Sequence, residues 1–287
     1  MTGNIVVGGN YTLKNGDIWS CIYTTDVHAY MIQHDGSTAF VWKRDGKSVS
    51  LDMTYDADWW PNMAQIEVKL IDSMGSDLSV VNAARVSFGK KSEWVDGEVL
   101  EDEQGQYLTQ MLKDKDTKLI HYLAKHKHLS PFGHAFASFH VKAPIFVARQ
   151  LVKHKFLRWN EISRRYVDDE PEFYTPDVWR GRSADKKQGS SGEVDEEWSD
   201  WQMFGYSLDT YKEMIAAGVA PEQARMVLPQ STMTEWYWSG SLDAFAAMCR
   251  LRCAPDTQYE TRKVAEMVYV ELKNQFPVAA KMLVEGV

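Results

Sequence analysis

The pattern of strand-forming and polar residues changes near residue 60, and this change limits what the chain can fold into. The first sixty residues carry short runs rich in β-branched and aromatic residues, at 11–13, 19–24, 29–32, 39–42 and 48–51. Asn15-Gly16, Asp35-Gly36 and Asp45-Gly46 separate several of these runs. Both positions of such pairs adopt positive φ, which tight hairpins require. Residues 1–60 are therefore predicted to form a small β-meander of three to five strands, with Asp56 to Pro61 as a connection.

After Gln65 the pattern favours helices around a few strands. Ile66, Val68 and Leu70 alternate with polar residues, which is typical of a half-buried strand, and a second strand is predicted over 134–142. Helical spacing follows Ser76 or Asp77 to about Val86, and recurs over 107–123, 144–158, 198–218, 222–227, 242–251 and 258–276. Thr257 and Glu260 match a capping box, and 181–197 is predicted to be a mobile loop. Residues 65–287 thus form one α+β domain dominated by helices.

Composition excludes several classes of function. The 287 residues hold 32 Lys and Arg against 40 Asp and Glu, a net charge of −8, so general attraction to nucleic acid is not expected. No run approaches 18 apolar residues, so no membrane span is predicted. The odd number of cysteines (Cys21, Cys249 and Cys253) and a start without signal-peptide features favour a reduced, cytoplasmic setting. The 12% aromatic share weakly favours a core plus a flat ligand.

The segment from Arg149 to Tyr166 concentrates positive charge in this acidic chain. It holds six Lys or Arg residues and one His. If the helix from Pro144 continues to about Arg158, then Gln150, Lys153 and His154 share one of its faces. Cationic and hydroxyl donors bind phosphate, and amide and carboxylate groups read the edge of a heterocycle. The alternative is a solvated basic face on a surface helix.

One string within this segment resembles the signature of the flavin-dependent thymidylate synthases. Lys153-His154-Lys155, seven residues and Ser163 stand where the family has Arg-His-Arg, seven residues and Ser. Further blocks resemble the family in family order: 77–79, 83–88, 130–132, 139–150, 172–174, 224–229, and 251–252 with Gln258. The resemblance covers roughly Gln65 to Phe276 and leaves out the first sixty residues.

The resemblance implies a fold and a reaction. The fold would be a helix-rich thymidylate-synthase-complementing-protein-like domain with a central antiparallel sheet. The reaction would be reductive methylation of dUMP to dTMP, with methylenetetrahydrofolate as carbon donor, FAD as cofactor and NADPH as the usual reductant. The enzyme would be a homotetramer with active sites shared between subunits.

The resemblance also implies roles for individual residues. Those that match dUMP-binding positions are Gln150, Glu161, Ser163, Arg165, Arg225 and Arg252. Those that match FAD-binding positions are Ser87, Ser130, Lys153, His154, Lys155, Phe156 and Asn160. His128 matches a position near flavin and folate, and the catalytic set is His154, Arg252 and Ser163.

The chain departs from the family at some flavin positions. Lys153 and Lys155 keep the charge of the signature arginines but lose the planar fork that makes two parallel hydrogen bonds. Gly133, Ser241, Asp243 and Ala247 also differ from the usual residues, so no flavin role is transferred to these four.

The chemistry of uracil is consistent with this interpretation. C5 is a weak nucleophile, so an enzyme adds a thiolate at C6 or polarises the carbonyl oxygens while a cofactor supplies hydride. Cys249 and Cys253, four apart on a predicted helix, are interpreted as core thiols. Polarisation of the carbonyl oxygens, with hydride from a cofactor, therefore fits this sequence better than thiolate addition.

Two other interpretations stay open. The first is a noncatalytic nucleotide-binding or structural subunit that has lost flavin chemistry. The second is a metal hydrolase, since six of the eight histidines lie between His121 and His154. His126, His128, His134 and His140 lack standard ligand spacing, so no metal is predicted.

Overall fold

The computed structural model describes residues 61–102, 105–167, 169–183, 189–195 and 201–286, together with the backbone of five strands between residues 10 and 50. The chain divides into two compact units. The first comprises Met1–Trp60 with Trp198–Gly205, and the second comprises Pro61–Glu197 with Tyr206–Val287.

The first unit contains a five-stranded antiparallel sheet. Its strands are β1 (Asn10–Thr12), β2 (Ile18–Thr24), β3 (His28–Gln33), β4 (Ala39–Arg44) and β5 (Val49–Ser50). They pair in sequence order, which is the predicted meander. The predicted Asn-Gly and Asp-Gly turns, and nearly all of the connection from Asp56, lie outside the described residues. A π-helix, Trp201–Gly205, also belongs to this unit.

The second unit is built on a four-stranded antiparallel sheet in the order β11-β15-β10-β7. The strands of this unit are β6 (Asn62–Met63), β7 (Glu67–Met74), β8 (Val95–Asp102), β9 (Gly105–Met111), β10 (Phe136–Pro144), β11 (Arg158–Glu161), β12 (Glu172–Phe173), β13 (Arg180–Arg182), β14 (Ser190–Glu193) and β15 (Met233–Ser241). Pairs β8-β9, β13-β14 and β6-β12 form small separate sheets.

The helices of the second unit are α1 (Asp77–Arg85), α2 (Asp114–Lys125), α3 (Ile145–Leu151), α4 (Tyr206–Ala216), α5 (Pro221–Ala224), α6 (Leu242–Arg252), α7 (Tyr259–Gln275) and α8 (Pro277–Val284). Short 3₁₀ helices span Val86–Phe88, Ser130–His134 and Arg225–Val227. No helix among the described residues is long and apolar enough to cross a membrane.

The core lies between one face of the central sheet and the helices. Phe139 and Val141 of β10 and Trp236 and Trp238 of β15 are buried at alternate positions, because successive side chains of a strand point to opposite faces. On the other face, His140 Nε2 lies 2.9 Å from Glu235 Oε2. A helix layer packed on an antiparallel sheet is an α+β architecture, which confirms the predicted fold class.

The predicted helix over 107–123 is wrong in its first half. Residues up to Met111 form β9, where Leu108 pairs with Val99 of β8 and Tyr107 with Leu100. Cross-strand pairing accounts for apolar residues that local spacing assigned to a helix. The helix begins only at Asp114, and Ile120 and Leu123 are buried on its inner side.

The predicted helix from Pro144 ends at Leu151 instead of near Arg158. Phe156 has φ of +66°, which no helix accommodates, and the chain then enters β11 and pairs with β15. Hydrogen bonding to the sheet edge outweighs continued helical periodicity. Lys153 and His154 therefore do not share a helical face with Gln150.

Two further expectations near the site are corrected. Gln258 is the residue before α7, and the Thr257 hydroxyl donates instead to the Leu251 carbonyl at 3.1 Å, so the capping box is wrong. Part of the predicted loop over 181–197 is the β13-β14 hairpin, while 184–188 and 196–197 lie outside the described residues.

Helix α8 was not predicted from its sequence. The buried Asp77 carboxylate accepts the backbone N–H groups of Val278 and Ala279, each at 2.9 Å. Asp77 and Val278 are 201 residues apart in the sequence. Their contact satisfies backbone N–H groups in the first turn of α8, which begins with Pro277. Burial raises the pKa of Asp77 although both N–H groups oppose the shift.

Candidate active site

The predicted signature lies on an exposed turn between α3 and β11. Trp159 of β11 stacks on Trp236 with ring centroids 4.3 Å apart, which fixes the start of the segment that carries Glu161 and Ser163. Lys153, Lys155 and Phe156 are exposed, and His154 is half-buried. The side chains of the turn thus divide into an outward set and one inward histidine.

His154 is held by Arg252 at the end of α6. Arg252 Nε donates to His154 Nε2 at 3.0 Å, and Arg252 Nη2 donates to the Gln150 backbone oxygen at 3.5 Å. Burial, reinforced by the Arg252 charge, lowers the pKa of His154 to about 4. The imidazole is therefore neutral near pH 7, and because Nε2 accepts, its proton is on Nδ1.

Gln150 is held by a chain of polar groups. Its Nε2 donates to Gln258 Oε1, and Gln258 Nε2 donates to Glu260 Oε2 at 3.3 Å. The Glu260 side chain, 6% exposed, forms an ion pair with Arg180 of β13. Arg180 also lies 4.2 Å over the ring of Tyr259. Two elements that are distant in sequence, β13 and α7, thus meet behind Gln150.

Glu161 and Arg225 line one cavity of about 470 Å³, within the range of small-molecule sites. The Glu161 carboxylate accepts from Thr234 Oγ1 at 2.7 Å and from Trp159 Nε1 at 3.0 Å. The remaining lining residues are Asn62, Ile145, Ile162, Arg164, Asp169, Glu170, Glu172, Leu228, Met233, Thr234 and Glu235.

The acidic lining of the cavity is partly neutralised from outside. Glu172 pairs with Lys142 at 2.5 Å, and Glu170 pairs with Lys212 at 3.1 Å. The side-chain cations of the lining are Arg164 and Arg225. A phosphate at this cavity therefore has to lie on the arginine side.

Ser163 and Arg165 form a third small group just beyond β11. Arg165 Nε donates to Ser163 Oγ at 3.3 Å, and the Arg165 guanidinium lies 5.0 Å from the centroid of the Tyr166 ring. The predicted dUMP set is therefore arranged in three groups: Gln150 with Arg252, Glu161 with Arg225, and Ser163 with Arg165.

The other predicted flavin positions lie on the surface. Ser87 is in the 3₁₀ helix after α1, and Ser130 begins a 3₁₀ helix that packs against α1. Asn160 pairs with Tyr237 across β11 and β15, and His128 is exposed.

The residues around Gly133 fit a flavin nucleotide. A Cβ at Gly133 would come no closer than 4.0 Å to Asp243 Oδ1, so there is open space beside it. Asp243 Oδ1 is buried and has no hydrogen-bond partner among the residues that the structure describes, so it offers an acceptor to a ligand hydroxyl. Lys153 and Lys155 form no ion pair within the described part of the chain, so both are available to phosphate groups.

The cysteines and the possible metal ligands bear on the other chemistries considered for this chain. Cys249 is buried, its pKa is raised, and its thiol hydrogen-bonds Cys253, whose pKa that bond lowers. Among the described residues no group of three or more His, Cys, Asp or Glu is arranged to hold a metal ion.

Comparison with known proteins decides the family. Residues 69–278 match the family model described as thymidylate synthase complementing protein. A flavin-dependent thymidylate synthase of Thermus thermophilus is 39% identical over 74% of this chain and 73% of that protein. One from Thermosipho africanus is 35% identical over 73% of this chain and 87% of that protein.

A solved structure agrees with these sequence relatives. The UMP/dUMP methylase PolB from Streptomyces cacaoi, bound with 5-Br dUMP, superposes with a TM-score of 0.63 at 30% identity. The match covers 79% of this chain and 97% of that one. This chain belongs to the flavin-dependent thymidylate synthase family.

Membership confirms the family resemblance and the expectation of an enzyme. It also supports a flavin as the cofactor of this thymidylate synthase family member. Sequence reasoning missed Arg180, because its segment has the composition of a loop, and it assigned Glu260 to a helix cap. A glutamate two residues after Gln258 at the start of an apolar helix was the available signal for Glu260.

Proposed function

We propose that this protein methylates dUMP to dTMP, using methylenetetrahydrofolate as carbon donor, FAD as redox cofactor and NADPH as reductant. The observation that carries the proposal is the Arg252 guanidinium bonded to the Gln150 backbone oxygen, which puts a cation at the residue that carries a side-chain amide, in a chain similar to a UMP/dUMP methylase. A cation next to an amide matches the polar edge of a pyrimidine, where carbonyl oxygens alternate with N–H.

The side chains of this cluster are suited to polarising uracil. Arg252 stays protonated even though burial lowers its pKa, and its Nη1 forms no hydrogen bond within the described residues. A guanidinium donor at a uracil carbonyl oxygen would stabilise the negative charge that this oxygen gains when hydride adds to C6, and the resulting enolate would be a better nucleophile at C5. His154, neutral and held at Nε2, keeps Arg252 in place without adding a competing charge.

Serine and arginine side chains would hold the nucleotide's phosphate, and a glutamate would hold its sugar. Ser163 with Arg165, and Arg225 at the cavity, offer hydroxyl and guanidinium donors to phosphate oxygens. Glu161 is fixed by Thr234 and Trp159 and offers its remaining lone pairs to a sugar hydroxyl.

Lys153, Lys155 and Phe156, with Ser87, Ser130, His154 and Asn160, would hold FAD, and Asp243 would accept one of its hydroxyls. When bound, the flavin supplies the hydride that no protein side chain carries. The lysines act as point charges on phosphate, whereas arginines would form paired hydrogen bonds. His128, exposed before the Ser130 helix, would lie near flavin and folate.

A homotetramer with shared active sites accounts for the exposed apolar side chains around the site. Phe156 is 84% exposed, Tyr166 79% and Met226 73%, and each lies within three residues of a proposed ligand-binding residue. Monomers rarely leave such side chains uncovered in one region. A single oligomeric species of four chains in native mass spectrometry is expected, and a stable monomer would contradict the arrangement.

We also propose that residues 1–60 form a separate module and 65–287 the synthase domain, in a cytoplasmic protein. Deletion of residues 1–60 should leave a folded domain with unchanged secondary structure by circular dichroism. A truncated protein that neither folds nor turns over would show that the module is integral.

Flavin loading separates the proposed enzyme from a noncatalytic nucleotide-binding subunit. The purified full chain is titrated with FAD, and visible flavin absorbance is followed before and after dUMP is added. The enzyme should bind FAD, and dUMP should perturb its spectrum because the proposed binding residues would bring the two ligands into one site. A colourless protein that binds dUMP but no FAD would favour the noncatalytic subunit.

A further inference from the structure

The chain of polar groups behind Gln150 fixes which atom of its amide faces the ligand. Glu260 is a carboxylate against the Arg180 guanidinium, so it offers only acceptors. Gln258 must therefore turn its Nε2 toward Glu260, as it does at 3.3 Å, because two facing oxygens would repel.

The orientation passes from Gln258 to Gln150. With its Nε2 toward Glu260, Gln258 presents Oε1 to Gln150, and Gln150 Nε2 donates to it. A second, longer contact joins Gln150 Nε2 to the Phe146 carbonyl at 3.5 Å. Both contacts hold the amide nitrogen inward, so Gln150 Oε1 is the free end, and in the described part of the chain it accepts no hydrogen bond.

We infer that Glu260 is a positioning residue that makes the site select uracil over cytosine, an inference that rests on dUMP being the ligand of this cluster. Gln150 Oε1 is a free acceptor on the residue whose backbone oxygen accepts from the Arg252 guanidinium, a donor. Uracil offers N3–H to that acceptor and a carbonyl oxygen to that donor. Cytosine has a lone pair at N3, which would face the Oε1 lone pair.

The expected discrimination is large enough to measure. A polar site that is set for an N–H rejects an analogue without it by on the order of 100-fold or more, because the mismatched groups remain unpaired. The four residues act in series, so a change at Glu260 reaches the ligand without touching it.

Glu260→Gln provides the sharpest test because it is isosteric. Arg180 would hold the new amide oxygen, and the new NH₂ would face Gln258. Gln258 would then turn over, Gln150 would follow, and Gln150 would present NH₂ to the base. This variant should bind dUMP more weakly and dCMP more tightly than the wild type does.

The measurement is the ratio of dissociation constants, dCMP over dUMP, for the flavin-loaded full chain by calorimetry. The wild-type ratio should be about 100 or more, and Glu260→Gln should lower it by about tenfold or more. If Glu260 had a purely structural role, Glu260→Gln would weaken the binding of both nucleotides equally and leave the ratio unchanged. That result would overturn the inference.

Two further variants sharpen the result. Glu266→Gln is the matched control, because Glu266 is an exposed carboxylate on the same helix, 3.6 Å from Arg262 and outside the chain of contacts, and its ratio should equal wild type. Glu260→Gln combined with Gln258→Glu restores an acceptor for Gln150 Nε2 and should recover the ratio. A ratio that stays low in the double variant would contradict the series of contacts.

Gln258→Met keeps the inference testable if Glu260→Gln fails to fold. Gln258 is only partly buried, and its loss frees Gln150 to turn, so the ratio should also fall by about tenfold. An unchanged ratio would overturn the inference. If wild-type protein binds no dUMP, the proposed function fails and this inference with it, whereas dUMP preference that no variant alters overturns this inference alone.

Discussion

The residues proposed to read the base and those proposed to hold the flavin differ in what supports them. Arg252 hydrogen-bonds both His154 and the Gln150 backbone oxygen, and Glu260, paired with Arg180, supports Gln150 through Gln258. Lys153, Lys155 and Phe156 project from a turn, exposed and without an ion pair among the described residues. The chain itself therefore sets the geometry of the residues proposed to select the base, whereas the flavin and a neighbouring chain would order the other surface.

Arg252→Gln should have the largest effect, because it breaks the supported cluster at its centre. Loss of the charged donor is expected to weaken dUMP binding by about 100-fold, near 3 kcal/mol. Calorimetry with dUMP measures the loss. Arg250→Gln, on the same helix and bonded to the Leu283 carbonyl at 3.2 Å, is the control and should keep wild-type affinity.

The same variant should move the pKa of His154 upward from about 4, because removing a neighbouring positive charge favours the protonated ring. In the folded wild-type protein the pKa of His154 lies below the value of about 6.5 that it has in the unfolded chain. The free energy of unfolding therefore decreases as the pH falls from about 6.5 toward 4. Chemical shifts of the imidazole protons report the pKa. A wild-type His154 that titrates near its usual value would contradict the buried contact.

Ser163→Ala and Arg225→Ala test the proposed phosphate contacts. Each is expected to weaken dUMP binding by roughly 1–3 kcal/mol, since charge-assisted hydrogen bonds are lost. Deoxyuridine, which has no phosphate, should lose much less affinity than dUMP in both variants. Equal losses of affinity for deoxyuridine and dUMP would show that these side chains do not contact the phosphate.

Lys153→Met tests the unsupported surface. FAD affinity should fall by about tenfold, while the thermal midpoint stays within the small range expected for exposed substitutions. Lys153→Arg should hold or tighten FAD, because it restores the paired donors. Flavin fluorescence quenching gives both affinities, and a large loss in Lys153→Arg would show that the lysine is a specific adaptation.

Thr234→Val is expected to have the smallest effect. It removes the hydroxyl that donates to Glu161 at 2.7 Å and keeps the shape of a buried strand residue. The dUMP affinity should fall by about 1 kcal/mol as Glu161 loses one of two supports. Thr210→Val, at a half-buried helix position whose hydroxyl donates to the Tyr206 carbonyl, is the control that should leave affinity unchanged.

The sequence located two strands of the central sheet and several helices, but not β11, β15 or the contacts that join these elements. Alternation located β7 and β10, and helical spacing located α1, α6 and α7, because burial on one face imposes both periods. The α3 helix was predicted too long, since nothing local shows that β11 pairs with β15. Arg180 and Glu260 meet across 80 residues, and such a contact leaves no pattern in a single sequence.

Product formation tests the account most directly. Purified protein is mixed anaerobically with FAD, dUMP, methylenetetrahydrofolate and NADPH, and dTMP is assayed in parallel for wild type and Arg252→Gln. The account predicts dTMP from the wild type and a rate lowered by about 100-fold or more in the variant. Absence of dTMP from flavin-loaded wild-type protein, or equal rates in the two proteins, would contradict it.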